Sequence, residues 1–277
     1  MNDLAVVLSN ENFNENCHDY SKNGTNFDLS LDAITKAGFK KIFIQWYNND
    51  NIWQTPQAEQ LKKMRERKLN IIFAHLGYQN INLLWKEGIQ GDKEVERYKN
   101  DIKTCNENNI NLVIMHLAKK DCLEPNDLGL KRIKQITNYA KEIGVKIAFE
   151  NVNESKYVEY VLDRIKDDNV GLCLDSGHYH CFSKDKFDFT KYKNRIFAVH
   201  LHDNNGKEDE HKIPGDGSLD WSNFLKNLKD CNYNGPITLE LIYYTSYYQE
   251  NIYEFFKNGY KRGKELSELF EKIKEAK

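Results

Sequence analysis

The sequence predicts an α/β protein that folds as a (β/α)8 barrel in a single domain, residues 1–277. Three observations carry that expectation. Eight short apolar, β-branched runs alternate with stretches of helical period, the pattern of a parallel sheet covered by helices. The 277 residues lie close to the about 250 of a typical barrel of this kind. Only four prolines and no low-complexity linker interrupt the chain, so eight units close more naturally into a barrel than into an open doubly wound sheet. No G-x-G-x-x-G follows the first run, and no G-x-x-x-x-G-K-[ST] occurs, so the phosphate-cradling loops of nucleotide-binding sheets are missing.

Taken in order, the expected strands are LAVVLS (4–9), KKIFIQW (40–46), NIIFAHL (70–76), NLVIMHL (111–117), VKIAFEN (145–151), VGLCLDS (170–176), IFAVHLH (196–202) and PITLELI (236–242). Each precedes a loop and then a helix. Asp28 stands before LSLDAITKAG, which stops at Gly38, and Asp127 stands before LGLKRIKQITNYAKEIG, which stops at Gly144. These are start and stop signals of helices. The last helix spans about 250–277, and Tyr253, Phe255, Phe256 and Tyr260 are expected to pack it on the barrel.

With 40 basic against 42 acidic residues, the net charge of −2 gives no global pull toward nucleic acid or an anionic membrane. The opening MNDLAVVLSNENFNE lacks the features of a signal peptide, and no apolar run reaches membrane-spanning length, so a cytoplasmic protein with no membrane partner is expected. Cys17, Cys105, Cys122, Cys173, Cys181 and Cys231 form no C-x-x-C pair. They read as reduced thiols filling the core, not as a disulfide framework or a zinc ribbon.

A barrel gathers its working groups at the carboxyl ends of its strands. Strand three ends at His75, strand four at His116, strand five at Glu150, strand six at Asp175 with His178 just beyond, strand seven at His200 and His202, and strand eight at Glu240. Asp209 and His211 follow in the loop after strand seven. Six of the eight histidines thus fall at or just after strand ends. A lone histidine there reads as a hydrogen-bonded residue of the mouth; the whole set reads as ligands for zinc, manganese, iron, cobalt or magnesium. Glu150, Asp175, His200 and Glu240 form the minimum site. His75 and His116 could hold a second ion with Glu150 bridging, and His178, Asp209 and His211 a third, giving one to three ions per chain. His202 reads as a neighbour of the ligands or a substrate contact, and Asp203 as a residue that orients the loop. His180 and His18 read as surface or loop residues.

The segments FAHLGYQNINLL, VIMHLA, IAFENV, LCLDSGHYH, VHLHDNNGKEDEHKIPGDGSLDW and ITLELI together resemble the xylose isomerase-like TIM barrel superfamily over essentially the whole chain. That superfamily contains sugar isomerases and epimerases and the apurinic/apyrimidinic (AP) endonucleases of the endonuclease IV type. The endonuclease branch implies three zinc ions on His75, His116, Glu150, Asp175, His178, His200, Asp209, His211 and Glu240. The isomerase branch implies a single divalent ion on Glu150, Asp175, His200 and Glu240, with the two glutamates as the acid/base pair. The arginine that commonly follows the strand-seven histidine in the epimerases is missing, with Gly206 and Lys207 nearby.

The resulting expectation is a divalent-metal-dependent sugar or sugar-phosphate isomerase or epimerase, working through a metal-stabilised enediolate. Glu150 and Glu240 would move the proton, with His178 assisting. His202, Lys207 and Trp46 are expected to contact the small-molecule substrate, and Trp85 to pack against it or in the core. The alternative is a multinuclear zinc phosphoesterase of the AP endonuclease type acting on DNA. A third reading is an inactive sugar-binding barrel.

Overall fold

A computed structural model describes residues 4–8, 23–46, 56–184, 186–243 and 247–275. His18, Cys17 and Ser9, the last residue of the first expected strand, lie outside the described residues. In chain order the elements are β1 (Leu4–Leu8), α1 (Asn23–Ala37), β2 (Lys41–Trp46), α2 (Gln57–Glu66), β3 (Asn70–Leu76), a 3-10 turn (Ile81–Trp85), α3 (Ile89–Glu107), β4 (Leu112–Met115), α4 (Asp127–Glu142) and β5 (Lys146–Glu150). They continue with α5 (Lys156–Leu162), β6 (Val170–Asp175), α6 (Ser176–His178), β7 (Ile196–His200), α7 (Trp221–Asp230), β8 (Ile237–Leu239) and α8 (Ile252–Glu275).

All eight strands run parallel in the order β7-β6-β5-β4-β3-β2-β1-β8. The ring closes just past the strand ends, where Leu201 bridges to Leu239. There the Leu201 N–H donates to Thr238 O at 2.8 Å and the Glu240 N–H donates to Leu201 O at 3.0 Å. The expected eight-stranded barrel is what the chain forms, with shorter strands: β8 holds three residues and leaves Glu240 immediately beyond it.

Two helix starts differ from the expectation. Helix α1 begins at Asn23, so Asp28 lies inside it and pairs with Lys63 of α2 at 2.9 Å instead of capping. Helix α4 is capped one residue earlier than expected, by Asn126, whose Oδ1 accepts from the Gly129 N–H at 2.9 Å. Asp127 is the first helical residue. The stop signals hold: Gly38 and Gly144 take φ of +107° and +76°, the left-handed conformation that ends a helix without a Cβ penalty.

Strand alternation sorts side chains into two cores. One lies between sheet and helices and takes Val6, Ile42, Ile44, Trp46, Ala74, Val113, Phe149, Leu172 and Val199 among many others. The other fills the barrel with one residue from each of the first seven strands: Val7, Phe43, Phe73, Ile114, Ala148, Cys173 and Ala198. The C-terminal helix packs as expected, with Phe255 and Phe256 buried, Tyr260 edge-on to Phe39 at 5.0 Å, and the Tyr253 hydroxyl 3.0 Å from Asp32. No helix among the described residues is long and apolar enough to cross a membrane.

Candidate metal centre

Two residues further along each strand from the interior layer, the barrel turns from apolar to ionisable. Phe73 is followed by His75, Ile114 by His116, Ala148 by Glu150, Cys173 by Asp175 and Ala198 by His200. On β8, Thr238 is followed by Glu240. The same period-two step that packs the interior therefore aims six donors into one mouth.

Three groupings result. His75 Nε2, His116 Nε2 and Glu150 Oε2 lie 3.0, 3.1 and 3.2 Å from one another. Two donors bound to one tetrahedral zinc would stand about 3.3 Å apart. Glu150 then turns its other oxygen to His178 Nδ1 at 3.2 Å and His200 Nδ1 at 3.4 Å. His200 Nδ1 is also 3.4 Å from Glu240 Oε2 and 4.0 Å from Asp175 Oδ2, so Glu150, Asp175, His200 and Glu240 converge as a second set. In the third, Asp209 Oδ2 lies 3.1 Å from His178 Nε2 and 3.2 Å from His211 Nε2. Glu150 is shared by the first two, and His178 touches both the second and third.

The residues around these groups hold them in place. His200 stacks flat on Phe43, with centroids 4.7 Å apart, so the interior layer forms the floor of the site. His202 Nε2 sits 3.1 and 3.2 Å from the two Asp175 oxygens, and its ring stacks on His211 at 4.1 Å. A Cβ on Gly177 would fall 1.9 Å from His202 Cε1, so only glycine allows this approach. Asp203 organises the long loop, its carboxylate accepting from the backbone N–H groups of Asn204, Gly215 and Leu219 and from Trp221 Nε1. Its backbone pairs with Lys212, next to His211. His211 itself holds a φ of +46°, uncommon for a side chain other than glycine and tolerated where the surroundings fix it.

The charges are polarised. Burial opposes ionisation of Glu150, yet His200 and His116 hold its carboxyl well below the usual carboxylate range. Burial likewise opposes the charge on Glu240 and Asp209, and neighbouring histidines again win, keeping both ionised. Burial opposes charge on His178 and His200, yet both are raised well above the usual imidazole range, His178 by Asp175 and Asp209 and His200 by Cys173, Glu240 and Glu150, and His211 is pushed up to about 10 by Asp209. His116 goes the other way, since burial dominates and keeps it neutral. The site thus demands positive charge, which protons or metal ions can supply in competition.

The donor chemistry fits divalent metal. His75 Nδ1 lies 3.1 Å from Leu76 O, and His211 Nδ1 lies 3.1 Å from Glu240 O. A carbonyl only accepts, so each Nδ1 carries a proton, which leaves each Nε2 to serve as the metal donor once an ion displaces any proton held there. This is the arrangement that orients metal-binding imidazoles. Buried and without a hydrogen-bond partner are His178 Nδ1, both ring nitrogens of His200, His202 Nδ1 and Asp209 Oδ1. A cation answers that deficit where no protein donor does.

Some expected contacts lie elsewhere. Trp46 is 1% exposed, in the core between sheet and helices, with Nε1 donating to Thr104 Oγ1 of α3 at 3.2 Å. Its strand position is odd relative to Phe43 and Gln45, so it points away from the mouth. Trp85 is likewise core, Nε1 donating to Leu117 O at 2.6 Å. Lys207 is exposed on the loop, where only its backbone N–H has a described bond, to Asn205 Oδ1 at 2.8 Å. His180 bonds to Ser218 at 2.9 Å. Cys105, Cys173 and Cys231 are buried, whereas Cys122 and Cys181 are only half-buried.

Sequence reading missed three participants. Gln45 occupies the mouth layer on β2, with a buried Oε1 that lacks a partner. Its signal is the two-residue step from Phe43, and an amide, unlike an imidazole or carboxylate, does not stand out at a strand end. Tyr78 stacks on His116 at 4.1 Å, and Ser176 Oγ bonds the backbone of His202 in both directions. Neither has a sequence signature of its own.

Comparison with known proteins gives the family of this fold. Residues 31–273 match the family described as xylose isomerase-like TIM barrel. An uncharacterised protein, y4fM of Sinorhizobium fredii, is 33% identical over 121 residues, 39% of each chain. An inosose isomerase of Halalkalibacterium halodurans is 29% identical over 141 residues, 46% of this chain and 50% of that one. The match thus spans half or less of the length of these two curated relatives. The solved structure of a protein called IOLI, with a bound zinc atom, superposes with a TM-score of 0.70 at 19% identity, covering 96% of this chain and 98% of that one.

Proposed function

The chain belongs to the xylose isomerase-like TIM barrel family, and from that premise we propose that it is a divalent-metal-dependent isomerase or epimerase of a sugar or sugar phosphate. The observation that carries this reading is the convergence of Glu150, Asp175, His200 and Glu240 at the mouth. Two carboxylates, Glu150 and Glu240, flank one imidazole at 3.4 Å each. When bound by these four residues, a divalent ion supplies Lewis acidity that polarises a substrate carbonyl and acidifies the adjacent C–H.

The protein's own groups then move the proton. One carboxylate takes it from the carbon beside the carbonyl, leaving an enediolate, and returns it to the neighbouring carbon, or the facing carboxylate delivers one to the opposite side of the same carbon. Glu240 is the better placed of the two for this. Glu150 has ring nitrogens of four histidines within 3.4 Å of its two oxygens, whereas Glu240 faces His200 and lies 3.9 Å from His211 Nδ1. His178, between Glu150 and Asp209, can donate a hydrogen bond to a substrate oxygen.

A second reading is favoured by one specific observation: the His75–His116–Glu150 and His178–Asp209–His211 groups exceed what a single ion needs. Three ions in one mouth would suit phosphoester hydrolysis on DNA of the AP endonuclease type.

One experiment separates the two. The purified protein is analysed for metal per chain, then incubated in D2O with ketoses, inososes and their phosphates, and in parallel with a duplex containing an abasic site. Deuterium entering the carbon beside the carbonyl is the expected result, with the tetrad ion sufficient for it. Strand cleavage by protein carrying three ions, without any deuterium exchange, would replace the isomerase reading with the phosphoesterase one.

A further inference from the structure

Beside the metal centre lies a cavity of about 300 Å³, walled by His116 and His178 on its inner side. Its outer rim comes from the loops after β4 and β5 and carries Lys119, Lys120 and Asn153. We propose that this cavity binds the phosphate of a phosphorylated sugar, with Lys119 and Lys120 as its cationic contacts. The proposal rests on the isomerase reading and narrows its substrate to a phosphate monoester.

Four observations support it. Among the described residues no carboxylate lies within ion-pair distance of either lysine, while the one acid of the cavity wall, Glu154, is taken by Lys156. Neither ammonium of the pair is therefore held in an ion pair, and Lys156 is shared between Glu154 and Glu124. The segment that carries them is fixed: Asn82 accepts from the Lys119 N–H at 2.8 Å and donates to the carbonyls of Lys119 and Lys120 at 3.4 and 3.2 Å. Asp121, next in the chain, holds a φ of +62°, so the turn is built rather than slack. Lys119 Nζ lies 5.8 Å over the Tyr78 ring, which itself stacks on His116, so the ammonium reaches back toward the centre across one aromatic ring.

Topology supplies the direction. In a ring of eight strands, β8 with Glu240 stands opposite β4, whose loop bears both lysines. A linear sugar with its carbonyl end beside Glu240 would extend across the mouth and present its far end to that loop. A phosphate there would meet two ammonium groups that are exposed at the cavity rim and can make charge-assisted hydrogen bonds to it. Lys207, on the loop after β7, does not line this cavity and has no part in this.

Binding, not turnover, tests the idea, so a failed isomerase assay does not decide it. The affinities of metal-loaded protein for glucitol and for glucitol 6-phosphate are measured by calorimetry for the native chain, the Lys119→Gln/Lys120→Gln variant and Lys207→Gln. The native protein is expected to prefer the phosphate ester by at least about tenfold, and the double variant by less than about threefold, with unchanged metal content and glucitol affinity. Lys207→Gln should keep the full preference. No preference in the native protein, or a preference that survives the double variant, overturns the proposal. A duplex with an abasic site bound more tightly than glucitol 6-phosphate, and lost with the same lysines, would also overturn it by giving them to a nucleic-acid backbone.

Discussion

Two adjacent layers of the same barrel, each contributed by the same strands, are equally buried and opposite in character. The interior layer of Val7, Phe43, Phe73, Ile114, Ala148, Cys173 and Ala198 is apolar and at most 1% exposed. Directly above it, Glu150, Asp175 and His200 are also at most 1% exposed, but they are ionisable, and His200 leaves both ring nitrogens buried without a hydrogen-bond partner. In the first layer, burial favours folding through the hydrophobic effect. In the second it opposes folding unless a cation or a proton is supplied. Stability and function are thus separated by two residues along each strand, and substitutions in the two layers should separate in the same way.

The largest separation is expected at Glu240. Glu240→Gln keeps the shape but removes the carboxylate that can accept a proton, so turnover should fall by about 10²–10⁴-fold. Its thermal unfolding should stay near that of the native protein, since Glu240 is the most exposed member of its tetrad. Initial rates and a melting curve on the same preparation check this. Full activity in the variant would end the proton-transfer role and leave the residue as a ligand at most.

The converse substitution is Ile114→Ala, in the interior layer two residues before His116. Removing its buried methyl groups should cost about 2–5 kcal/mol of stability, read from urea unfolding. Below the transition, metal bound per chain and the rate per bound metal should be unchanged. Loss of metal in parallel with stability would show that the two layers act as one unit.

How much of this could be read from the chain follows from the same layering. The strands were legible because a parallel sheet buried on both faces leaves continuous apolar runs. The donors were legible because His75, His116, Glu150, Asp175 and His200 break those runs at their ends. Helix starts were harder to place. Asp28 and Asn126 differ only in where the helical hydrogen bonds begin, and the chain before LSLDAITKAG gave no sign that α1 starts at Asn23. Gln45 and Tyr78 were hidden for another reason. Each gains its meaning from a neighbour remote in sequence: for Gln45, the register that sets it beside His75; for Tyr78, the ring of His116. Lys119 and Lys120 look like any surface pair until Asn82 and the cavity are in place.

Trp46 gives the smallest expected effect and tests the layering most narrowly. As the last residue of β2 it stood near the mouth in sequence, and an aromatic ring there suggested a sugar platform. One strand position decides otherwise: Gln45 faces inward beside His75, so Trp46 faces the helices and its Nε1 bonds Thr104 of α3. Trp46→Phe removes that hydrogen bond and some packing volume but nothing from the mouth. It should cost about 1–2 kcal/mol in urea unfolding and leave both the KM and the metal content as they were. A raised KM with intact stability would place the ring at the substrate after all, and would mean that β2 turns its alternate face inward at its end.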